Sequence, residues 1–550
     1  MEVTGRLHFR TRGEGLTRLR FRPGGRAATV RRIWVVSCAL LLAAPLVAQS
    51  PGSSTQYDRA VDYLQHQQIV PAITLLQQIL EAAPTDVKAH NLMGIALTAS
   101  GRLEEANPHF RQALEINPQF YPALRNLAVN ELALKHVAEA RVDLEEVLQF
   151  VPEDHVAHLS LGEIYFGQKL YVTAVEHYLK SGELLTRDPN VTLNFAQSCF
   201  ESKQRDKAAQ LLENFPTEAD GRAHFQAGVM LAQLSKYDAA VRQFELGQKD
   251  YPDPYEVGYN LTLADLRGGH YAQAIAAARG LLARGYEKAE LYNLLSEAYE
   301  KNDQTIEAYN ALRKATQIDP GDENNYLDLI ALGIDHANYP LALGIADIGL
   351  ENNPNSYRLL LQRGAVRAFQ AQYTQAVEDF EQASKLDPQK DLPFFAMAIA
   401  LMQTDQLTKG LAILRQRLAA SPDNYLMLYA LGEGLDHQGL GHGSPEEKEA
   451  IDSLRKSIRL NPDFPDPRVA LGRILLRRGD VDQGIVELEK ALELDPTNLS
   501  PCYPLASAYR KKGDIARADE LIVKFEKFKE EDREKHSNRT ILRLLREGEQ

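Results

Sequence analysis

The first place to look for chemistry is "EDHVAHLS", where His155 and His158 stand three residues apart and so share one side of a helix, a spacing at which two imidazoles can hold a metal ion. His158, however, takes the packing position that His90 takes 68 residues earlier, and no third ligand lies nearby, so packing is the better reading. The glycine-rich "GLGHGSPEE" (439–447) lacks the Lys-Ser/Thr that a phosphate-cradling loop needs. It reads as a turn, with Ser444 as N-cap, Pro445 in the first helical turn and Glu447 as the capping acid. Cys199 falls at a core position and reads as a small buried hydrophobe, as does Cys502. Carboxylates are abundant, but none is singled out as an acid/base pair. No catalytic residue, metal ligand, cofactor or small-molecule substrate is therefore expected, and an enzyme would have to use an unrecognised site.

Composition narrows the partners. The 550 residues are 44% hydrophobic and 25% charged, an ordinary globular balance with a net charge of −13. Residues 1–50 hold nine Arg against Glu2 and Glu14, so the remainder carries 53 basic and 73 acidic side chains, a net of −20. An acidic body without a basic run argues against nucleic acid, whose phosphates need clustered Lys and Arg. Within the basic leader, Arg31-Arg32 precede an uncharged stretch at 33–47 that is short for a membrane span but suits a signal-peptide core. Cleavage is expected after Ala48, with an uncleaved inner-membrane anchor through 33–47 as the alternative. Because 1–29 is long for a charged leader, Val30 is a candidate true start.

What would position any site is a repeat. "GIALTASGRLEEANPHFRQALEINP" (94–118) and "GRILLRRGDVDQGIVELEKALELDP" (472–496) share one layout, and prolines closing helical runs fall at 84, 118, 152, 252, 320, 354, 388, 422, 462 and 496. The spacing is 34, or 68 where Tyr286 stands in place of one proline; it wanders between 152 and 252 through Pro189 and Pro216, and gains six residues near 437–444. From Ser53 this gives about fourteen units. In the unit from Val87, His90, Met93, Gly94 and Leu97 form one helical face, Gly101 ends that helix, and Ala106, Phe110 and Ala113 form one face of a second helix that Pro118 stops. Small residues at positions 8 and 20 let the two helices cross closely, and Phe110 fills the space beside the crossing.

This layout resembles the tetratricopeptide repeat (TPR) family, with small residues at 8, 20 and 27 and proline at 32 of a 34-residue unit. It recurs as Gly94, Ala106, Ala113 and Pro118; as Gly364, Ala376, Ala383 and Pro388; and as Gly472, Ala491 and Pro496. No unit carries the family's Trp at position 4, which is His90, Leu124, His158, Tyr292 or Phe394 here. The resemblance implies an all-α, right-handed superhelical solenoid of helix-turn-helix repeats with a C-terminal capping helix. A lone unit buries too little to offset the entropy of ordering it, so the units must stack. The expected divisions are an extension and signal segment (1–48), a linker (49–52), repeats 1–5 (53–220), 6–11 (221–424) and 12–14 (425–532), and a charged helical tail (533–550).

In this family positions 2, 5, 9 and 12 of the first helix line a concave groove. Members that clamp a C-terminal carboxylate use Lys and Asn there, whereas positions 5 and 9 here are Asn91/Ile95, Arg125/Val129 and Leu159/Glu163, which does not support that clamp. The stripe is instead apolar over four units, at Leu159, Phe166, Leu193, Phe200, Phe225, Val229, Tyr259, Leu263 and Leu266, and again at Leu392, Phe395, Ile399 and Met402. Either neighbouring helices bury it, or it is an open groove for a peptide or amphipathic helix. The expected function is an exported, periplasmic or secreted, non-catalytic scaffold or adaptor that binds protein or peptide partners in the bacterial envelope. A membrane-tethered assembly or secretion factor is the alternative.

Overall fold

A computed structural model describes residues 56–438 and 441–532; the expectations for the signal segment, its cleavage, Val30 and the tail at 533–550 lie outside the described residues. Among the described residues the regular structure is helical, and the α-helices follow one another in pairs. The chain divides into two compact units, one ending at Tyr286 and one beginning at Glu287. The first holds the pairs from Gln56–Gln65 with Ile69–Ala82 to Pro254–Gly268 with Tyr271–Ala283, and the second those from Ala289–Lys301 with Thr305–Ile318 to Cys502–Lys512 with Ile515–Asp532. Each unit thus contains seven pairs. The division falls inside the 221–424 group of repeats. The two helices pack on each other within every pair on both sides of the division, which falls where Tyr286 replaces the recurring proline.

Local signals explain the boundaries. Asp86, Asp154 and Asn424 are N-caps whose side chains accept the backbone N–H three residues on, at 2.9, 2.9 and 3.1 Å. Ser444 does the same for Glu447 at 3.1 Å, and the Glu447 carboxylate accepts the N–H of Gly443 at 2.7 Å, one residue outside the usual reciprocal box. Gly101, Gly269, Gly479 and Gly513 follow first helices with φ between +81° and +92°. The same turn elsewhere holds Lys135, Lys169, Lys203, Ala337 and Ala371 at φ between +54° and +67°, a conformation that only glycine adopts without strain.

Within a pair the crossing is as tight as the repeat requires. A Cβ on Gly94 would lie 2.5 Å from Phe110, one on Gly228 2.7 Å from Phe244, and one on Gly364 2.5 Å from Phe380. Each ring fills the place a side chain would otherwise take. First helices are the inner layer: Val87–Ala99 buries ten of its 13 residues, its partner Leu103–Ile116 four of 14. Within each unit successive first helices touch, as Val87–Ala99 does Tyr121–Ala133 and Tyr357–Phe369 does Leu392–Met402, and second helices carry exposed Val142, Val172, Ile306 and Val486. At the C-terminal end, Leu521 and Ile522 pack on the cluster of Ile485, Leu488, Leu505 and Tyr509, so Ile515–Asp532 is both the partner of the last first helix and its cover. Among the described residues no helix is long and apolar enough to cross a membrane.

Candidate functional site

The two histidines that opened the sequence reading turn away from each other. His155 faces the carbonyl of Lys180 at 2.9 Å, while buried His158 bridges the carbonyl of Pro152 (Nε2, 2.8 Å) and Nδ1 of His177 (2.9 Å). His90 repeats this with Pro84 (2.9 Å) and His109 (3.2 Å). With Nε2–H donated to the carbonyl, Nδ1 of the inner ring accepts from the outer one, so each pair ties a first helix to the preceding turn and to its own second helix. His224 with Gln243 (2.7 Å) and Arg468 with Glu487 (2.8 Å) fill the same slot, always with a spacing of 19. Burial, and then the facing imidazole, hold His109 and His177 below the ordinary imidazole range. Among the described residues no three His, Cys, Asp or Glu side chains converge on a metal position. Cys199 and Cys502 are buried free thiols; burial pushes Cys199 up to about 11, which keeps it protonated and unreactive.

The apolar stripe divides. Leu159, Leu193, Phe225, Val229, Tyr259, Leu263 and Leu266 are all buried. Phe225 stacks on Tyr251 (ring centroids 4.3 Å apart) and meets Phe244, so it belongs to the core and not to a surface. Of this stripe, Phe166 and Phe200 are half-buried, 34 residues apart at the same place in consecutive first helices and packed on one cluster with Tyr178, Phe195 and Cys199. Tyr171 flanks Phe166, and the guanidinium of Arg205 lies 5.7 Å from the Phe200 ring. Between Leu159 and Phe166 in sequence, Glu163 accepts from the Tyr178 hydroxyl (2.6 Å) and from Asn194, and burial raises its carboxyl to about 6. In the second stripe Phe395 is buried, while Leu392, Ile399 and Met402 are half-buried.

Sequence reading missed a cleft of about 480 Å³ in the second unit, lined by residues of three successive inter-pair turns: Asp391 and Leu392, Asn424 to Leu426, and Asn461 with Asp463 to Pro465. Phe395, Leu426 and Phe464 supply an apolar floor, Tyr425 and Tyr429 meeting Phe464 edge-on at 5.6 and 5.3 Å. Asn424 accepts the Met427 N–H and donates to Asp391 at 3.0 Å. Arg417 donates to the other Asp391 oxygen and to the Pro388 carbonyl (3.1 Å), and its guanidinium lies 4.3 Å from the Phe394 ring. Asp391, Asn424 and Phe464 stand in segments that each read as an ordinary cap or turn. Only folding brings them to one mouth.

Tetratricopeptide repeat models match residues 57–120 and 97–147 in the first unit and 289–322, 357–390 and 466–498 in the second. The chain is 24% identical over 177 residues to anaphase-promoting complex subunit 3 of Schizosaccharomyces pombe, covering 32% of this chain and 27% of that protein. It is 25% identical over 250 residues to the Hsp70-Hsp90 organizing protein of Triticum aestivum, covering 41% and 40%. It therefore spans less than half the length of either relative. Among solved structures, yeast Tom70 aligns over 90% of this chain and 95% of its own at 17% identity, with a TM-score of 0.38. With repeat models matching in both compact units, and glycine and ring interlocked where the repeat demands it, the chain belongs to the tetratricopeptide repeat family.

Proposed function

We propose that this protein is a non-catalytic scaffold or adaptor of the bacterial cell envelope that binds segments of other proteins on its inner layer of first helices. The observation that carries this reading is the pair Phe166 and Phe200. Two large rings left only partly buried at equivalent positions, amid a stripe that is otherwise buried, can act as aromatic anchors of the kind that dominates protein interfaces. The names of the two relatives, one a subunit of the anaphase-promoting complex and the other an Hsp70-Hsp90 organizing protein, agree with such work. Affinity capture with the full chain, followed by mass spectrometry, tests it. Replacing Phe166 and Phe200 with Ser should lose captured partners while leaving the helical content intact. A variant that folds and captures every partner as before would refute these anchors.

Export rests on the apolar stretch at 33–47. Trp34 is the only tryptophan, so a protein processed after Ala48 should contain none. A periplasmic fraction that keeps tryptophan emission and the mass of the uncleaved chain would replace the processed form with an anchored one.

A further inference from the structure

The cleft at the turns of the second unit is separate from Phe166 and Phe200 and differs in chemistry. Its floor is aromatic and aliphatic, and its mouth carries Asp391, Asn424, Asn461 and Asp463. Two guanidiniums beside it are already committed, Arg417 to Asp391, the Pro388 carbonyl and the Phe394 ring, and Arg468 to Glu487 and the Pro462 carbonyl. Lys456 is likewise held, by Asp423 at 2.8 Å and the Pro422 carbonyl at 2.7 Å. Asp463 is exposed and makes no ion pair among the described residues. Among the lining residues the charge left unmatched is therefore negative, over an apolar floor. The N-termini of three helices approach the same place and would by themselves favour an anion, but Asp391 and Asp463 oppose one there.

We propose that this cleft binds a linear segment of a partner protein that presents a large apolar side chain next to an Arg or Lys. The apolar side chain would rest on Phe395, Leu426 and Phe464, and the cation would reach Asp463 and the amide oxygens of the rim. A volume of about 480 Å³ lies in the range of small-ligand pockets and accommodates one bulky side chain with flanking backbone. The mouth crosses three successive turns, which suits a chain better than a compact molecule. Arg417 on the Phe394 ring beside Asp391 shows within the protein how this corner holds a guanidinium. The proposal rests on the reading of the chain as a protein binder, and names a second site and its ligand chemistry.

Panning a phage-displayed library of random dodecapeptides against the full chain tests it. Peptides pairing Phe, Tyr or Leu with an adjacent Arg or Lys should be enriched. A synthetic peptide of the consensus should bind about tenfold or more weakly to Asp463→Lys, and its binding should weaken with salt. Asp463 is exposed, so this change should leave the circular dichroism spectrum unaltered; Leu392→Glu at the half-buried edge is a second variant. Enrichment of acidic motifs, no enrichment, or a consensus that binds both variants like the wild type would overturn the proposal. Cellular partners lost from the Phe166/Phe200 variant but retained by Asp463→Lys would also overturn the cleft while leaving the scaffold reading in place.

Discussion

Replacing Gly94 with Ala adds one methyl group and should be costly. The new Cβ would lie 2.5, 2.7 and 2.7 Å from three carbons of the Phe110 ring, which is 1% exposed and packed in the cluster with Leu76, Met93 and Leu127. Three ring carbons of a buried side chain would have to move at once, so the penalty belongs at the upper end of overpacking, about 3 kcal/mol. Alanine returns about 1 kcal/mol through its better helix propensity. The net loss of ~2 kcal/mol corresponds to a roughly 30-fold rise in the local opening constant. Hydrogen exchange read by mass spectrometry should show this in peptides from 87–116, while those from 470–500 stay unchanged, because a stacked array is coupled chiefly to its neighbours. Gly344→Ala is the matched control. That exposed glycine lies inside Tyr339–Asn352 with nothing within 4 Å of a new Cβ, so the variant should gain about 1 kcal/mol. If Gly94→Ala also slows exchange, or leaves it unchanged, close crossing is not why glycine stands there.

Three further outcomes follow from the same geometry. Ala371→Gly, at φ +57°, should relieve left-handed strain of ~1–2 kcal/mol, less the extra entropy of glycine, for a gain of about 0.5–1 kcal/mol visible as slower exchange in 357–386; a loss would show the turn is unstrained. Because His109 and His177 are held below the ordinary value of 6.5, folding favours their neutral forms, and their stabilising contribution is complete above that value and falls as pH drops below it. Asp143, Glu163 and Asp265, raised to about 6, have the opposite sign, so the readout is the difference between wild type and a His109→Gln, His177→Gln variant. The variant should lose less stability to urea between about pH 7.5 and 5, and equal losses would reject the role of the pairs. Asp379→Asn removes the 1%-exposed carboxylate that Arg363 and Arg367 share at 2.6 and 2.7 Å, and should cost ~3 kcal/mol in the urea unfolding of its region; a loss below ~1 kcal/mol would mean that solvent already screens the cluster.

What the sequence made legible is what a single pair decides for itself. The spacing from Gly94 to Phe110 predicts an interlocked crossing because absence of a side chain and presence of a ring are both visible in the residues, and the structure puts them in contact. The apolar stripe was only half legible. Helical periodicity states which face Phe225 and Phe200 occupy but not what lies against that face, and here Tyr251 covers Phe225 while Phe200 stays half-buried. The cleft was illegible for a further reason. Asp391, Asn424 and Asp463 belong to three turns more than 30 residues apart, each of which is adequately explained as a cap or connection.

The slot at position 4 lay between these cases, and it shows how such an array tolerates change. Four partners recur nineteen residues after a donor: His109 after His90, His177 after His158, Gln243 after His224 and Glu487 after Arg468. Three of the donors also reach the carbonyl of the proline six residues earlier. What is constant is the demand, a donor that satisfies a helix-ending carbonyl and a second helix that satisfies the donor; the chemistry meeting it is not. Examined as single helices, the histidines suggest a metal site. Taken across the pair, they serve the same purpose as the arginine and glutamate of the penultimate repeat. A neutral pair can be exchanged for a charged one without altering the backbone, provided both members change together. His90→Arg alone would bury a guanidinium against His109, whereas His90→Arg with His109→Glu should recover the stability that the single change loses.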